Sequence, residues 1–488
     1  MRIPHIETMR VKNFKAFKDS GLLKLAKINL IVGKNSAGKS SLMKAILGCS
    51  QTASERKVDS SDFRLVGMLT DLGTFKDTIH GKNENDNFSI SFGIQGPGPD
   101  EMSKPYQFEY EYTKGPRLIT ATVAGVKAFC DGDLICSAKA AYKNQNRYPA
   151  AQLILSQSKI KKQLIIDPEA PSINSKAPDS EEEKEATEFI RKLSKLFLEQ
   201  HEKKDLSITM DFISLNDFNI DILQCYKEGK KINRVPFNST LNKNPAYVGM
   251  DQASQLIDRK LAGCVYIGPV REEPKRSARL AISSGKNTGK KGEDLAVMLH
   301  TALRDQDFKD RFNNYLQKLH IADGIETSES FLEIHGEKQL TGYINILLEK
   351  KGQYNSLADV GFGTSQVLPI VFELMAQEDR LILIEQPELH LHPSAQAEIG
   401  GLLNDSIKRG NQLFVETHSV VLIERIRRLI RTGELSNDDV RIIYVQGDDS
   451  GASECKQIGF LSNGDFDQAW PEKDFFGERE AETLSDWW

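Results

Sequence analysis

The stretch GKNSAGKSS, residues 33–41, constrains this chain more than any other part of its sequence. Gly33, Gly38, Lys39 and Ser40 fit the pattern G-x-x-x-x-G-K-[ST], in which glycines let successive backbone N–H groups face one anion. The apolar run KINLIVG before the stretch predicts a buried strand, and the apolar spacing of SSLMKAILGC after it predicts a helix. A strand, a glycine loop and a helix in this order predict a phosphate-binding loop.

The phosphate loop (residues 33–41) offers several contacts to a nucleotide. Its N–H groups and the positive end of the following helix attract phosphates. Lys39 supplies a point charge for the β- and γ-phosphates, and Ser40 offers a hydroxyl to Mg²⁺. We therefore predict that ATP and Mg²⁺ bind here, through Gly33, Lys34, Asn35, Ser36, Ala37, Gly38, Lys39, Ser40 and Ser41.

Much later in the chain, LILIEQPE predicts a buried strand with an acidic end. Glu385 closes the apolar run and is predicted to hold Mg²⁺ through water, together with Ser40. Gln386 stands where a group that activates water is expected, and an amide orients water but takes no proton. Glu388, after Pro387, is a second candidate. Three alternatives stay open: slow hydrolysis through Gln386, hydrolysis through Glu388, or ATP binding without turnover.

Histidines lie at or after the ends of two predicted buried strands. His390 and His392 alternate as metal ligands on one strand face do, but Pro393 follows and no matching ligand pair is near, which disfavours a metal site. His418 ends QLFVETHS, the next predicted buried strand. There it can contact the γ-phosphate, and a capped core histidine is the alternative.

Composition excludes several classes of protein. No window of the 488 residues approaches the ~18 consecutive apolar residues that span a bilayer, and the N-terminus lacks the apolar core of a secretory signal. The scattered cysteines fit a reducing cytoplasm. A net charge of -5 argues against attraction of nucleic acid to the whole surface. One basic loop remains, either flexible and solvated or a contact for nucleic-acid phosphates: Lys275, Arg276, Arg279, Lys286, Lys290 and Lys291.

Residue patterns predict the remaining elements. Between about residues 80 and 170, FSISFGI, YQFEYEYT and LITATVAGV predict antiparallel strands. CVYIGPV, FLEIHG, GYINILLEK and DVRIIYVQ predict further strands, and VGFGTSQVLPIVFELMAQ predicts a helix after glycines. Residues 179–204 predict a charged helix with one apolar face. The aromatic tail predicts a packed lid from Trp470 to Phe476, where Pro471 fixes a turn, and a partner contact for Trp487 and Trp488.

The order of these motifs resembles the ABC-type ATPases of the RecF, SMC and OLD kind, and most of all the AAA-family ATPases of prokaryotic phage-defence systems. The strings IEQPELHLHP and GDFDQAWPEKDFF are similar to one subgroup that carries an uncharacterised C-terminal domain. The resemblance covers about residues 1–80, 264–294 and 355–476. It implies an α/β fold: a P-loop NTPase with an ABC-type ATPase head and a large inserted α+β lobe.

The resemblance also implies a division of the chain. The parts, in order, are the N-terminal part of the head (1–80), the inserted lobe (81–262), the return to the head with the basic loop (263–350), the C-terminal part of the head with signature, acidic strand and switch histidine (351–450), and an aromatic, acidic segment (451–488).

Specific roles follow from the resemblance. GFGTSQ lies where the family places a signature loop that closes over the γ-phosphate of the opposite subunit, so that two ATPs are sandwiched between two heads. Phe362 replaces the usual serine, and Thr364 or Ser365 supplies the hydroxyl. NFKAF resembles the segment near the adenine, and GPVRE, around Arg271, resembles a motif between insertion and core. The implied nucleotide contacts are Asn13, Phe14, Phe17, Gly361, Gly363, Thr364, Ser365 and Gln366.

The implied catalytic residues are Glu385, Gln386, Glu388 and His418. Because Gln386 replaces the usual glutamate, the resemblance implies a slow ATPase with a long-lived ATP-bound dimer. OLD-type nucleases add a Toprim domain after the head, and VQGDDSG is a poor substitute for its acidic residues. We therefore expect any effector to be a separate polypeptide.

The expected function is that of a cytoplasmic, homo-oligomeric ATPase that acts as sensor or scaffold in antiviral defence. It resembles ATPase subunits of two-gene systems such as PARIS or Septu, which implies a separate effector such as a nuclease and a DNA or phage-derived trigger. Two alternatives stay open. One is a DNA-repair or chromosome-handling ATPase that clamps DNA directly, and the other is a regulatory ATP-binding module without turnover.

Overall fold

The structure is a computed structural model that describes residues 4–54, 62–97, 103–115, 117–141, 150–156, 205–210, 226–227, 230–231, 245–280, 287–335, 337–448 and 451–471. Among the helices in these ranges, none combines the length and the apolar character that crossing a bilayer requires. The predicted charged helix at residues 179–204 lies outside the described residues.

Strands alternate with helices in the second half of the chain, whereas strands dominate the first half. The strands are β1 (Ile6–Phe14), β2 (Phe17–Asp19), β3 (Leu23–Lys24), β4 (Ile28–Val32), β5 (Asp62–Arg64), β6 (Phe88–Gln95), β7 (Pro105–Lys114), β8 (Thr120–Cys130), β9 (Asp133–Ala141), β10 (Ala150–Ser156), β11 (Asp205–Met210), β12 (Tyr226–Lys227), β13 (Lys230–Lys231), β14 (Val265–Ile267), β15 (Ala278–Arg279), β16 (Gly324–Ile334), β17 (Glu337–Lys350), β18 (Gln353–Ser356), β19 (Leu381–Glu385), β20 (Gln412–Glu416), β21 (Val440–Gly447) and β22 (Ser453–Ile458). The α-helices are α1 (Lys39–Ser54), α2 (Phe75–Thr78), α3 (Pro245–Ala262), α4 (Leu295–Ala302), α5 (Gln306–Lys318), α6 (Phe362–Ala376), α7 (Pro393–Lys408) and α8 (Val420–Arg431).

The chain forms two compact units, and the division falls within α1. Unit 1 comprises Met1–Ile3, Leu25–Met43 and Gly263–Trp488, and unit 2 comprises Pro4–Lys24 and Lys44–Ala262.

Unit 1 is built on a sheet with the strand order β14-β19-β20-β4-β21-β22. The five strands β14, β19, β20, β4 and β21 run parallel to their neighbours in this sheet, and β22 pairs with β21 antiparallel. Every residue of β4, β19 and β20 is buried, as expected for central strands that read as continuous apolar runs. Because the strands are parallel, the phosphate loop after β4 and the polar residues that end β19 and β20 lie at one edge of the sheet.

The helices of unit 1 bury their apolar faces in the same core. Leu402 and Leu403 of α7 and Leu422 and Ile423 of α8 belong to a cluster that also includes residues of β4, β19 and β20. Helix α6 is buried from Ser365 to Met375, which explains its apolar sequence. The helix predicted after the glycines at 361 and 363 is therefore confirmed.

A second sheet of unit 1 is antiparallel, with the order β15-β17-β16. β15 pairs with β17 at residues 343–344, and β18 pairs with β17 at residues 347–350. The hairpin of β16 and β17 brings Phe331 opposite Leu340, and both side chains are exposed. FLEIHG and GYINILLEK are confirmed as strands, although both strands extend beyond the apolar runs that predicted them.

Unit 2 is dominated by an antiparallel sheet with the order β11-β10-β9-β8-β7-β6-β1-β2. Alternate residues of β7 are buried, and its inward aromatic residues supply the core. Tyr112 of β7 packs at 5.1 Å from Phe88 and at 4.7 Å from Phe63, measured between ring centroids. The antiparallel strands predicted between residues 80 and 170 are confirmed within the described residues.

Candidate functional site

The phosphate loop leaves β4 at a position where no side chain fits. Gly33 has a φ of +144°, and a Cβ atom there would lie 2.0 Å from the carbonyl oxygen of Val445 in β21. Gly38, at the other end of the loop, also has a positive φ of +102°. The two glycines of the motif thus meet the conformational and steric demands that only glycine satisfies here.

Lys39 begins α1, and its side chain turns back to lie beneath the loop. Its Nζ donates hydrogen bonds to the carbonyl oxygens of Gly33, at 2.9 Å, and of Lys34, at 2.7 Å. Only 4% of Lys39 is exposed, and burial lowers the pKa of its ammonium group. Lys34, Asn35 and Ser36 are exposed around it, so an ammonium charge lies under an open, amide-rich loop. Such an arrangement attracts phosphates.

Ser40 meets an acidic residue that the motifs did not single out. Its hydroxyl lies 3.2 Å from Glu416 Oε2, at the end of the neighbouring strand β20. Burial, and then the charge of Glu385, raises the pKa of Glu416 to about 7, although Lys39 acts in the opposite direction. Glu416 ends the buried strand within VETHS, and this position at a strand end is the sequence feature that could have indicated a site residue. A hydroxyl beside buried carboxylates is the hard oxygen donor set that Mg²⁺ prefers.

Glu385 lies beside Glu416, because the two residues are partners in the register of β19 and β20. The side chain of Glu385 accepts a hydrogen bond of 2.7 Å from the hydroxyl of Tyr266. Burial, and then the charge of Glu385, raises the pKa of Tyr266. Arg271 Nη2 donates to the carbonyl oxygen of Glu385 at 2.7 Å. The predicted metal role of Glu385 and Ser40 stays a prediction, and Glu416 joins them in space.

The chain after Glu385 forms a tight acidic turn (residues 385–388). Gln386 has a left-handed φ of +47°, and its N–H donates to the carbonyl oxygen of Glu416 at 2.7 Å. Glu388 is buried, and its Oε1 accepts a hydrogen bond of 2.6 Å from the backbone N–H of His418. Burial raises the pKa of Glu388 and lowers that of His418. The structure therefore brings the four predicted catalytic residues together at the edge of the sheet.

The signature segment (residues 361–366) packs against the chain that follows the acidic turn. A Cβ atom at Gly363 would lie 2.2 Å from the carbonyl oxygen of His390, and the rings of Phe362 and His390 are 5.1 Å apart. Ser365 is buried and its hydroxyl donates to the carbonyl oxygen of Phe362. Gln366 is also buried. Gly361 is exposed and Thr364 is partly exposed.

Three predicted adenine contacts belong to unit 2. Phe14 and Phe17 are fully buried there, and the ring of Phe14 packs 5.4 Å from that of Phe88. Asn13 donates a hydrogen bond from Nδ2 to the carbonyl oxygen of Asn87. Their contact with adenine stays a prediction.

The two histidines after the acidic turn have structural contacts. His392 is the N-cap of α7 and accepts a hydrogen bond from the backbone N–H of Ser394 through Nδ1. His390 adopts a left-handed φ of +62°. Within the ranges that the structure describes, no group of three or more histidine, cysteine, aspartate or glutamate side chains could hold a metal ion.

Cations of the basic loop pair with neighbouring groups. Arg276 forms a two-pronged ion pair with Asp359 at 2.6 and 2.7 Å, Lys275 lies 2.5 Å from Glu272, and Lys290 lies over the ring of Tyr266. Lys286 lies outside the described residues.

In the C-terminal segment, Trp470 packs against Tyr444 and Phe466, as the packed-lid prediction expects. Trp487 and Trp488 lie outside the described residues.

A glycine phosphate loop between a buried parallel strand and a helix, with acidic ends on the neighbouring strands, defines the class of P-loop NTPases. The family model of the AAA ATPase domain matches residues 5–423, so the chain belongs to the AAA ATPase domain family. The predicted fold class, an α/β P-loop NTPase with an ABC-type head and an inserted α+β lobe, is confirmed.

Among curated proteins, the chain is similar to the DNA replication and repair protein RecF of Bacillus cytotoxicus, with 29% identity over 91 residues. That match covers 19% of this chain and 24% of RecF, so the chain spans about a quarter of this relative.

Solved structures with weaker similarity include three SMC head domains. An SMC head bound to the C-winged helix domain of ScpA has 13% identity and a TM-score of 0.38, covering 93% of this chain and 98% of the other. An SMC head from Pyrococcus furiosus with an extended coiled coil, bound to the C-terminal domain of ScpA, has 13% identity and a TM-score of 0.37, covering 99% of both chains. The SMC head of Thermotoga maritima has 11% identity and a TM-score of 0.36, covering 93% of this chain and 98% of the other.

Proposed function

We propose that this chain binds ATP with Mg²⁺ at the phosphate loop, hydrolyses it slowly, and uses the ATP-bound state to join two copies of its head. The observation that carries this proposal is the placement of Lys39 and Ser40. The Lys39 ammonium lies under exposed loop amides, and the Ser40 hydroxyl lies beside Glu416. One side of the site attracts phosphate and the other offers oxygen ligands for a cation.

The residues present fit a magnesium ion. Ser40, Glu385 and Glu416 would hold it, directly or through water, at the edge of the sheet. Burial, and then the charge of Glu385, raises the pKa of Glu416, and a bound cation would favour its charged form. When bound, Mg²⁺ supplies positive charge for the β- and γ-phosphates.

Glu388 is the group best placed to take a proton from the attacking water. Its Oε1 accepts a hydrogen bond from the N–H of His418, whereas its buried Oε2 has no hydrogen-bond partner within the described part of the chain. Burial raises the pKa of Glu388 above its ordinary value, and a carboxylate with a higher pKa is a stronger base. Gln386, at the left-handed position of the same turn, supports the slow alternative by orienting water. A single-turnover assay separates these routes, since Glu388→Gln stops the first and Gln386→Ala stops the second.

The signature segment supports an ATP-dependent homodimer. Because Ser365 and Gln366 are buried, the residues left to meet a partner's nucleotide are Gly361, Phe362, Gly363 and Thr364, and of these only Thr364 has a side-chain hydroxyl. We infer that Thr364 supplies the hydroxyl. In sedimentation velocity with ATP and Mg²⁺, wild type should become dimeric, and Thr364→Asp should stay monomeric while binding ATP as before. Thr301→Asp, an exposed threonine of α4, is the matched control. Dimerisation of the Thr364→Asp variant would contradict this role.

For the cellular role, we propose a cytoplasmic sensor or scaffold of antiviral defence. It would control a separate effector, such as a nuclease, in response to a DNA or phage-derived trigger. The support is the sequence resemblance together with the IEQPELHLHP string, which forms the acidic turn and the start of α7. Co-purification with the product of a neighbouring gene, dependent on Lys39, is the expected result.

The RecF match favours one alternative, an ATPase of DNA repair or chromosome handling that clamps DNA. The pairing of Lys275 and Arg276 with carboxylates leaves less charge in the basic loop for DNA phosphates. DNA that stimulates ATP hydrolysis by wild type, but not after neutralisation of Lys275, Arg276, Lys290 and Lys291, would favour the clamp over the sensor.

A further inference from the structure

The GPVRE motif lies in unit 1, in a segment (residues 265–272) formed by β14 and the chain after it. We call it the bracket segment. Its Arg271 is only 3% exposed, although arginine is among the residues least often buried. Burial lowers the pKa of its guanidinium to about 10, and the carboxylates of Glu388 and Glu385 oppose this change. A buried cation at this position therefore needs an explanation in its contacts.

Those contacts converge on the acidic turn. Arg271 Nη2 donates to the carbonyl oxygens of Glu385, at 2.7 Å, and Gln386, at 3.3 Å. The hydroxyl of Tyr266, from the same segment, donates to Glu385 Oε1 at 2.7 Å. The bracket segment thus holds both the backbone and the side chain at the end of β19, and hydrogen bonds from a charged donor are stronger than neutral ones.

The acidic turn needs such support. Gln386 adopts a left-handed φ of +47°, which a residue with a long side chain rarely does. Its N–H is fixed by the carbonyl oxygen of Glu416 and its own carbonyl oxygen by Arg271. A sparsely populated backbone conformation persists only where its surroundings determine it from several sides. Here one side is β20 and the other is the bracket segment.

The pairing of Arg271 is incomplete in a way that stability alone does not favour. Among the residues that the structure describes, its buried Nε and Nη1 have no hydrogen-bond partner, and neither has Oε2 of Glu388. Buried charges with unmet hydrogen-bonding capacity destabilise a fold. Such atoms also occur outside the site, as at Nε of Arg425, so the role of Arg271 is inferred from its hydrogen bonds to the acidic turn.

We propose that Arg271 and Tyr266 are positioning residues that hold the acidic turn in its hydrolytic geometry. The inference rests on the proposed ATPase function and deepens it. The bracket segment also contacts α6, because Gln366 Nε2 donates a hydrogen bond to the carbonyl oxygen of Glu272 at 3.4 Å. The segment therefore connects the signature segment, where a second copy would bind, with the turn that carries Gln386 and Glu388.

The test compares Arg271→Met, Arg271→Lys and Tyr266→Phe with wild type in the full-length chain. Arg425→Met is the matched control, since Arg425 of α8 lies outside the site and its buried Nε likewise has no hydrogen-bond partner among the described residues. We expect Arg271→Met to lower kcat by roughly 10- to 100-fold, as loss of supporting groups around metal ligands does, with ATP affinity unchanged. Arg271→Lys should recover part of this loss, and Tyr266→Phe should lower kcat less.

Hydrogen exchange of the intact protein gives a second readout that needs no hydrolysis. Arg271→Met should speed exchange at the Gln386 amide, whereas amides of β4 should exchange as in wild type. Unchanged kcat in Arg271→Met, or equal protection of the turn in wild type and variant, would overturn the inference. If wild type hydrolyses ATP and Arg271→Met matches it, the inference fails and the ATPase proposal stands. If wild type fails to bind ATP, the ATPase proposal fails, and exchange at Gln386 still decides whether Arg271 holds the turn.

Discussion

Glu416 makes the stability of unit 1 depend on pH in a way that one substitution removes. Its pKa is raised from the ordinary 4.5 to about 7, a difference that corresponds to about 3.4 kcal/mol at most. Because the open phosphate loop admits water, which screens part of this effect, we expect about 2 kcal/mol. Between pH 4.5 and 7 the folded state keeps a proton that the unfolded state has lost. The unfolding free energy therefore falls as pH rises through this window.

Glu416→Gln keeps the size of the side chain and a hydrogen-bond acceptor for Ser40, but it cannot ionise. Between pH 4.5 and 7.5 the unfolding free energy of wild type should fall by about 2 kcal/mol more than that of the variant. Above pH 7 the variant should therefore be more stable than wild type. Urea denaturation across this range, without nucleotide or Mg²⁺, measures the effect. Glu337→Gln, an exposed glutamate of β17, should follow wild type. Parallel curves for Glu416→Gln and wild type would refute the assignment of a buried, protonated carboxyl.

Three further predictions concern the loop, a helix cap and the acidic turn. Gly33→Ala should lower the unfolding free energy of unit 1 by more than ~2 kcal/mol in urea denaturation, because the added Cβ atom would clash with the backbone of Val445. The control Gly433→Ala, at a positive φ with open space around it, should lower the unfolding free energy by only about 1 kcal/mol. His392→Ala should lower the unfolding free energy by roughly 0.5–1 kcal/mol through loss of the α7 N-cap, with ATP affinity measured in parallel and unchanged. Gln386→Glu should speed single-turnover ATP hydrolysis by about 10²-fold or more if the missing carboxylate limits the rate, and an unchanged rate would contradict this.

The sequence predicted the parts of the site whose signals are local. The phosphate loop, the acidic end of β19 and the helix after Gly361 each depend on residues that are neighbours in the chain, and each lies where the pattern predicted. Parallel buried strands explain why Glu385 and His418 lie at the same edge of the sheet as the loop, since the ends of β19, β20 and β4 share that edge.

The sequence patterns could not predict contacts between segments that are distant in the chain. Nothing in CVYIGPV indicates that the Tyr266 hydroxyl binds Glu385, because a tyrosine in an apolar run is ordinarily a core residue. Glu416 ends a predicted buried strand, but only the order of the strands in the sheet places its side chain beside Ser40. The assignment of β1 to unit 2 likewise depends on its pairing with β6, which no local pattern encodes.

Equilibrium binding of ATP by calorimetry, with Mg²⁺ and the full-length chain, tests the central claim most directly. Wild type should bind one ATP per chain, and Lys39→Ala should bind at least about 100-fold more weakly, because the ammonium group beneath the loop is lost. Lys309→Ala, a lysine of α5 outside the site, should bind like wild type. Equal ATP affinity for wild type and Lys39→Ala, or no binding by wild type, would contradict the claim that residues 33–41 hold a nucleotide.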